Sequence, residues 1–217
     1  MPELPLTEYY SLFPNLITRQ DISGYAEQDE VIHELLHGTD TGEHNLLNKA
    51  KTSHSRDFLD NYPDLKKRIQ NAVNQYSTKT GLEQSEITHS WYGVYDEGGS
   101  ITRHMHRSSI ISGAYYPYIE KGFTEICFEN PTATLNSIWP IVDPSEWNVE
   151  GKAIGVKQGM LVLFPSWMYH YTTANTSGTR CVVSFNTSTG NTLSTTISGT
   201  PASKATFDIT SATGLAI

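Results

Sequence analysis

The sequence predicts a mainly β fold with helices at its N-terminal end, an α+β arrangement. Three observations predict it. Amphipathic helical stretches dominate up to about residue 84, short β-rich runs follow from Ile87 onward, and no internal repeat of fixed period is present. Many short strands divided by Gly, Pro and Asn turns specify a sandwich or barrel.

The first helix is read in AEQDEVIHELLHG. Val31, Ile32, Leu35 and Leu36 share one face there, and Gly38 supplies the stop. The second lies in RDFLDNYPDLKKRIQNAVNQYSTKTG. It begins after Pro63, repeats Leu65, Ile69, Ala72, Val73 and Tyr76 at helical spacing, and ends at Gly81. The strands are ITHSWYGVY, SIISGAYYPY, FTEICFE, KAIGV, MLVLF and TRCVVSFN, with a further short one after the Pro turn of LFPSWMYHYTTA. Residues 130–151 form a long connection carrying Trp139 and Trp147, of a length that suits a lid, a substrate wall or apolar docking on the barrel. The tail is rich in Ser, Thr and Gly. The organisation expected is one structural domain in three parts: a helical segment 1–84 packed on the core, a β core 85–190, and a strand pair or flexible tail 191–217.

At 217 residues the chain can bury a substantial interior without staples. Its two cysteines, Cys127 and Cys181, lie inside expected strands and lack C-x-x-C spacing, which argues against a cystine scaffold or a structural zinc site. A reducing, cytoplasmic setting follows. MPELPLTEYYSLFPNL has neither the basic start nor the apolar centre of a signal peptide, and no run of apolar residues is long enough for a membrane span. A formal charge of −8, with scattered Lys and Arg, disfavours nucleic acid as a partner.

The chemistry concentrates in RHMHRSSIISGAYYPY. Side chains two apart on a strand project together, so His104 and His106 can share an ion; the same face continues through Ser108, Ile110, Ser112, Ala114, Tyr116 and Tyr118, unless a β-bulge exchanges the sets. His170 is the third candidate ligand, since three imidazoles on neighbouring strands suit a divalent metal with open positions. Arg180 opens the apolar run CVVSF, and alternation groups it with Val182, Ser184 and Asn186. A guanidinium on an inward face requires an anion, and a carboxylate held bidentately would serve; the alternative is a solvated strand end. A competing motif is HELLH, where His33 and His37 share one helical face with Glu34 beside them, as in zinc proteases. The helix stops at Gly38, His44 falls at the wrong spacing for a third ligand, and a surface helix explains the same residues. His54 and His89 receive no role.

The ordered set HMH, SGAYYPY, FENP, GMLVLFPSWMYH, TR and VSFN resembles the iron(II)- and 2-oxoglutarate-dependent oxygenases of the double-stranded β-helix (jelly-roll, cupin-like) fold, in particular a bacterial and phage branch with an H-x-H element. The likeness spans residues 87–187, and EYYSLFPNLI is similar to that branch's opening. It implies a double-stranded β-helix core with His104, His106 and His170 at the metal, and with Arg180, Tyr116 and Ser184 on 2-oxoglutarate. It also implies Fe(II), 2-oxoglutarate and O2 as cofactor and cosubstrates, and hydroxylation of a peptide side chain or a small molecule. Homo-oligomerisation is compatible with it. Position 106 departs from the pattern, because most of the superfamily has Asp or Glu there. Either His106 ligates, or it swings aside and water, Asp96 or Glu97 completes the shell. Two other classes remain: a metal-binding barrel without turnover, and a zinc metallohydrolase using HELLH.

Overall fold

The computed structural model describes residues 14–121, 124–132, 142–145 and 148–189. The elements in chain order are β1 (Thr18–Asp21), α1 (Gln28–His37), β2 (Thr41–Gly42), β3 (Leu47–Ser53), a single 3-10 turn (Phe58–Asn61), α2 (Pro63–Thr80), β4 (Glu86–Ile101), β5 (Ile111–Ile119), β6 (Thr124–Glu129), β7 (Gly151–Val156), β8 (Met160–Pro165), β9 (His170–Tyr171) and β10 (Arg180–Ser188). They form an antiparallel seven-stranded sheet, ordered β1-β8-β5-β10-β4-β3-β2, and a three-stranded sheet, β7-β6-β9.

Strand alternation divides the large sheet between two cores. Ile111, Tyr115, Leu161, Leu163, Cys181, Val183 and Phe185 point outward and pack under Val31 and Leu35 of α1 and Leu65, Ile69, Val73 and Tyr76 of α2. Their neighbours Ala114, Tyr116, Val162, Phe164 and Val182 point the other way and meet Ile126, Phe128 and Val156 of the small sheet. Burying a large aliphatic or aromatic side chain stabilises by about 1.5–3 kcal/mol each, so both interfaces contribute strongly. The result is the two-sheet jelly roll expected from the sequence, with helices on its outer face.

Helix α2 starts with Pro63 at its first turn, where the missing N–H costs nothing, and its five expected apolar positions are all buried. Gly81 terminates it in the left-handed region at φ 70°, and its N–H donates to the Ser77 carbonyl. Helix α1 buries Val31 and Leu35, whereas Ile32 is half-buried and Leu36 exposed, so its apolar stripe is narrower than expected.

The segment before residue 84 is not purely helical. β1 pairs with β8, and β3 pairs with β4, so this segment widens the large sheet at both edges. Periodicity missed these strands because TRQD and LNKAKTS carry few apolar residues; their backbone pairing, not their burial, places them. Residues 133–141 and 146–147 of the 130–151 connection, with Trp139 and Trp147, lie outside the described residues, as do the opening EYYSLF and the tail 191–217.

Candidate metal centre and anion pocket

The two sheets enclose a cavity of about 660 Å³ whose wall includes His104, His106, His170, Arg180, Tyr116 and Ser184. Every site residue expected from the sequence therefore lines one space.

His104 and His106 sit in the link between β4 and β5 rather than on β5, which begins only at Ile111. What brings His104 to His170 is an isolated antiparallel bridge. His104 N–H donates to the His170 carbonyl at 3.0 Å, and His170 N–H returns the bond at 2.9 Å. The His106 N–H donates to the Ser166 carbonyl at 2.9 Å, tying the same link to the Pro turn ahead of β9. The rings converge: the three candidate ligand nitrogens all lie within 4.8 Å of one another.

Two of the imidazoles are oriented by their own backbone. His104 Nδ1 lies 2.8 Å from the Thr102 carbonyl, and His170 Nδ1 lies 2.9 Å from the Met168 carbonyl. A carbonyl only accepts, so each Nδ1 carries the proton and each Nε2 keeps a free lone pair, the tautomer a metal ligand needs. His106 is placed instead by packing, its ring 5.7 Å from that of Trp91. Burial pushes His170 down to about 3, helped by His104 and opposed by its bond to Met168. Burial, then His104, pushes His106 down to about 4, and burial also lowers His104. All three are neutral near pH 7.

Arg180 is fully buried. One terminal nitrogen donates to Thr124 Oγ1 at 2.5 Å, the other to Thr172 Oγ1 at 3.2 Å, and the guanidinium lies 4.5 Å from the centre of the Tyr95 ring. Its Nε has no partner, and among the described residues no carboxylate pairs with it. A buried cation held only by hydroxyls and a ring is incompletely compensated. Register explains the placement: Arg180 stands opposite Tyr95 on β4, Val182 opposite Gly93, Ser184 opposite Trp91 and Asn186 opposite His89. A side chain at Gly93 would meet the Tyr95 ring at 2.8 Å, so glycine there gives the ring its place beside the guanidinium. Burial pushes Tyr95 up to about 12 and raises Tyr116 further, so both phenols stay protonated.

Some details differ from the sequence reading. A register shift between Cys181 and Val183 marks a bulge in the β5–β10 pairing. Tyr116 lies within it and joins the inner core, while Tyr118, beyond it, packs against the outer one. Asp96 and Glu97 line a separate groove with Lys49 and Lys51 and are not among the residues of the cavity wall, so neither is placed to complete the shell. His33 and His37 are exposed on α1, their rings 4.8 Å apart. Among the described residues, the one metal-capable cluster of three or more is His104, His106 and His170. Sequence reasoning missed Thr124, Thr172 and Tyr95, because an ordinary strand threonine or tyrosine carries no local sign of a partner far along the chain.

The jelly roll thus brings a histidine cluster and a buried cation into one cavity. Residues 89–186 match the family described as "Putative 2OG-Fe(II) oxygenase". Among solved structures the chain is similar to a Pseudomonas putida prolyl-4-hydroxylase, at 13% identity over 81% of this chain and 93% of that one, with a TM-score of 0.52. It is similar to HygX from Streptomyces hygroscopicus with nickel and 2-oxoglutarate bound, at 10% identity over 82% and 84%, with a TM-score of 0.54. It is also similar to the non-heme α-ketoglutarate-dependent epimerase SnoN of nogalamycin biosynthesis, at 9% identity over 81% and 79%, with a TM-score of 0.57. Identities this low show the fold. No curated protein matches in sequence. The fold is one that these enzymes share, and the matched stretch contains the motifs that carry the resemblance.

Proposed function

We propose that the protein is an iron(II)- and 2-oxoglutarate-dependent dioxygenase that hydroxylates a peptide side chain or a small molecule, with O2 as the oxidant. The observation that carries this is Arg180. It is a fully buried guanidinium that no carboxylate of the described residues pairs with, in a cavity that also holds three neutral imidazoles. A dicarboxylic acid answers both features at once.

The donor set fits the group. His104, His106 and His170 would hold the metal through nitrogens that carry no proton, and three neutral ligands leave the ion its full charge. The two carboxylates of 2-oxoglutarate would offset that charge, with Arg180 to hold one of them. Bound iron(II) with 2-oxoglutarate supplies oxidative decarboxylation and, from it, the power to attack an unactivated C–H bond. The chain's own work is placement. Thr124 and Thr172 fix the guanidinium plane, Tyr95 supports it from one face, and Tyr116 and Ser184 offer hydroxyls to the bound acid. Phe164 and Phe128 pack around His170 and keep water from its outer side, their ring centres 4.5 and 6.1 Å from the imidazole.

The neighbouring folds include hydroxylases and an epimerase. Hydroxylation is the default outcome of this chemistry, and substrate geometry decides any departure from it. A second reading, a metal-binding barrel without turnover, is favoured by the histidine at position 106. Anaerobic titration with iron(II) and then 2-oxoglutarate tests the first: a weak visible charge-transfer band should appear on chelation. Its absence would leave a metal-only barrel. The band without succinate production in air, across candidate substrates, would favour the second reading.

A further inference from the structure

The cavity wall differs in charge from the rest of the molecule. The chain has 23 Asp and Glu against 15 Lys and Arg. Yet among the described residues no carboxylate lines the cavity, while three arginines do: Arg56, Arg107 and Arg180. The buried Arg180 is accounted for by the cosubstrate. Arg56 and Arg107 are exposed, and among the described residues the ion pairs are Lys66–Asp60, Arg68–Asp64 and Arg103–Glu129, none of which includes either arginine.

Arg56 is held in position although it is exposed. Its carbonyl accepts the Ser90 N–H at 2.8 Å, fixing the backbone to β4, and its guanidinium lies 5.4 Å from the Trp91 ring centre. Trp91 in turn lies 5.7 Å from His106. The Arg56 charge therefore stands one ring away from the histidine cluster. A cleft lined by one sign of charge focuses its field and concentrates counter-ions, and a guanidinium matches a carboxylate or phosphate with two parallel bonds. Two exposed guanidinia lining one cavity, in a chain of net charge −8, suit a single anionic group rather than a polyanion.

We propose that the cavity mouth is an anion-recognition subsite. The substrate carries a carboxylate or phosphate group, pairs it with the guanidinia of Arg56 and Arg107, and presents its reacting carbon to the histidine cluster. That last clause rests on the oxygenase reading; the anion binding does not.

The test uses protein loaded with zinc(II) and 2-oxoglutarate, which blocks turnover and fills the Arg180 site. Four capped amino acids serve as probes, each N-acetylated with a methylamide end: glutamate, phosphoserine, neutral glutamine and cationic lysine. Binding is followed by calorimetry and by the arginine Nε–H signals in the 15N spectrum. The two anionic probes should bind and move the Arg56 and Arg107 signals, and the other two should not. Arg56→Gln and Arg107→Gln should each weaken the anionic probes by about tenfold or more. Arg107→Glu should shift the preference toward the lysine probe. The stronger anionic probe identifies the group as carboxylate or phosphate. Equal binding of glutamine and glutamate, or unchanged anion affinity in the double Gln variant, overturns the proposal. So does an oligonucleotide that outcompetes the monomeric anions by orders of magnitude. The wild-type chelation band separates the two claims. Band without anion selectivity sinks the subsite alone, and selectivity without the band sinks the oxygenase reading alone.

Discussion

Protonation is decided residue by residue at this centre. Burial holds His170 at about 3 and His106 at about 4 in the folded, metal-free chain, against about 6.5 for an exposed imidazole. The unfolded chain therefore takes up protons first as pH falls, and the folded state loses stability from about 6.5 down toward those lower values. The urea midpoint of metal-free protein should fall between pH 7 and pH 5, and a flat profile would contradict the buried, neutral assignment. Arg180 permits a second residue-scale prediction. Arg180→Met should weaken 2-oxoglutarate binding by about a hundredfold or more, since a charge-assisted pair in a buried site is lost. Metal affinity and folding should survive it, because removing a poorly compensated buried cation costs the fold little. Loss of metal together with 2-oxoglutarate would mean that Arg180 supports the barrel rather than the cosubstrate.

At the scale of elements, β10 shows how one strand serves two purposes. Cys181, Val183 and Phe185 belong to the core under the helices, while Arg180, Val182, Ser184 and Asn186 face the cavity. Damage on the helix side should thus leave the site chemistry intact. Ile69→Ala on α2 removes a fully buried side chain and should lower the unfolding free energy by about 2–5 kcal/mol. The remaining folded protein should bind metal with unchanged affinity, which calorimetry below the unfolding transition would check. Next to the turn that ties His106, Ser112 Oγ lies 2.7 Å from Ser166 Oγ and donates to Asn186 Oδ1 at 2.7 Å. This links β5, β10 and the turn whose carbonyl holds His106.

For the molecule as a whole, a ligand that binds only the folded state stabilises it by mass action, about 2.7 kcal/mol at a hundred times its dissociation constant. Iron(II) or zinc(II) should raise the melting temperature, and a chelator should reverse the rise. His170→Ala should abolish the effect and His37→Ala should not. The opposite pattern would return the HELLH helix to consideration as the metal site. The same experiment on His106→Asp would show whether a carboxylate at position 106 tightens the site.

Much of this was legible before folding was considered. The apolar spacing of Leu65, Ile69, Ala72, Val73 and Tyr76, bounded by Pro63 and Gly81, fixes α2 through local sterics and periodic burial. Alternation in CVVSF places Arg180 and Ser184 on one face, because the strand repeat is two. The polar strands β1 and β3 left no such trace, and their pairing depends on partners distant in sequence.

The amino-acid order by itself determined which side chains are candidates, since residue chemistry and strand period are local properties. Only the tertiary structure decided that HELLH stays a surface helix while His104 and His170 meet across a backbone bridge, and that Thr124, Thr172 and Tyr95 close around Arg180. Convergence of segments far apart in the chain is set by sheet register and packing, and no local pattern encodes it.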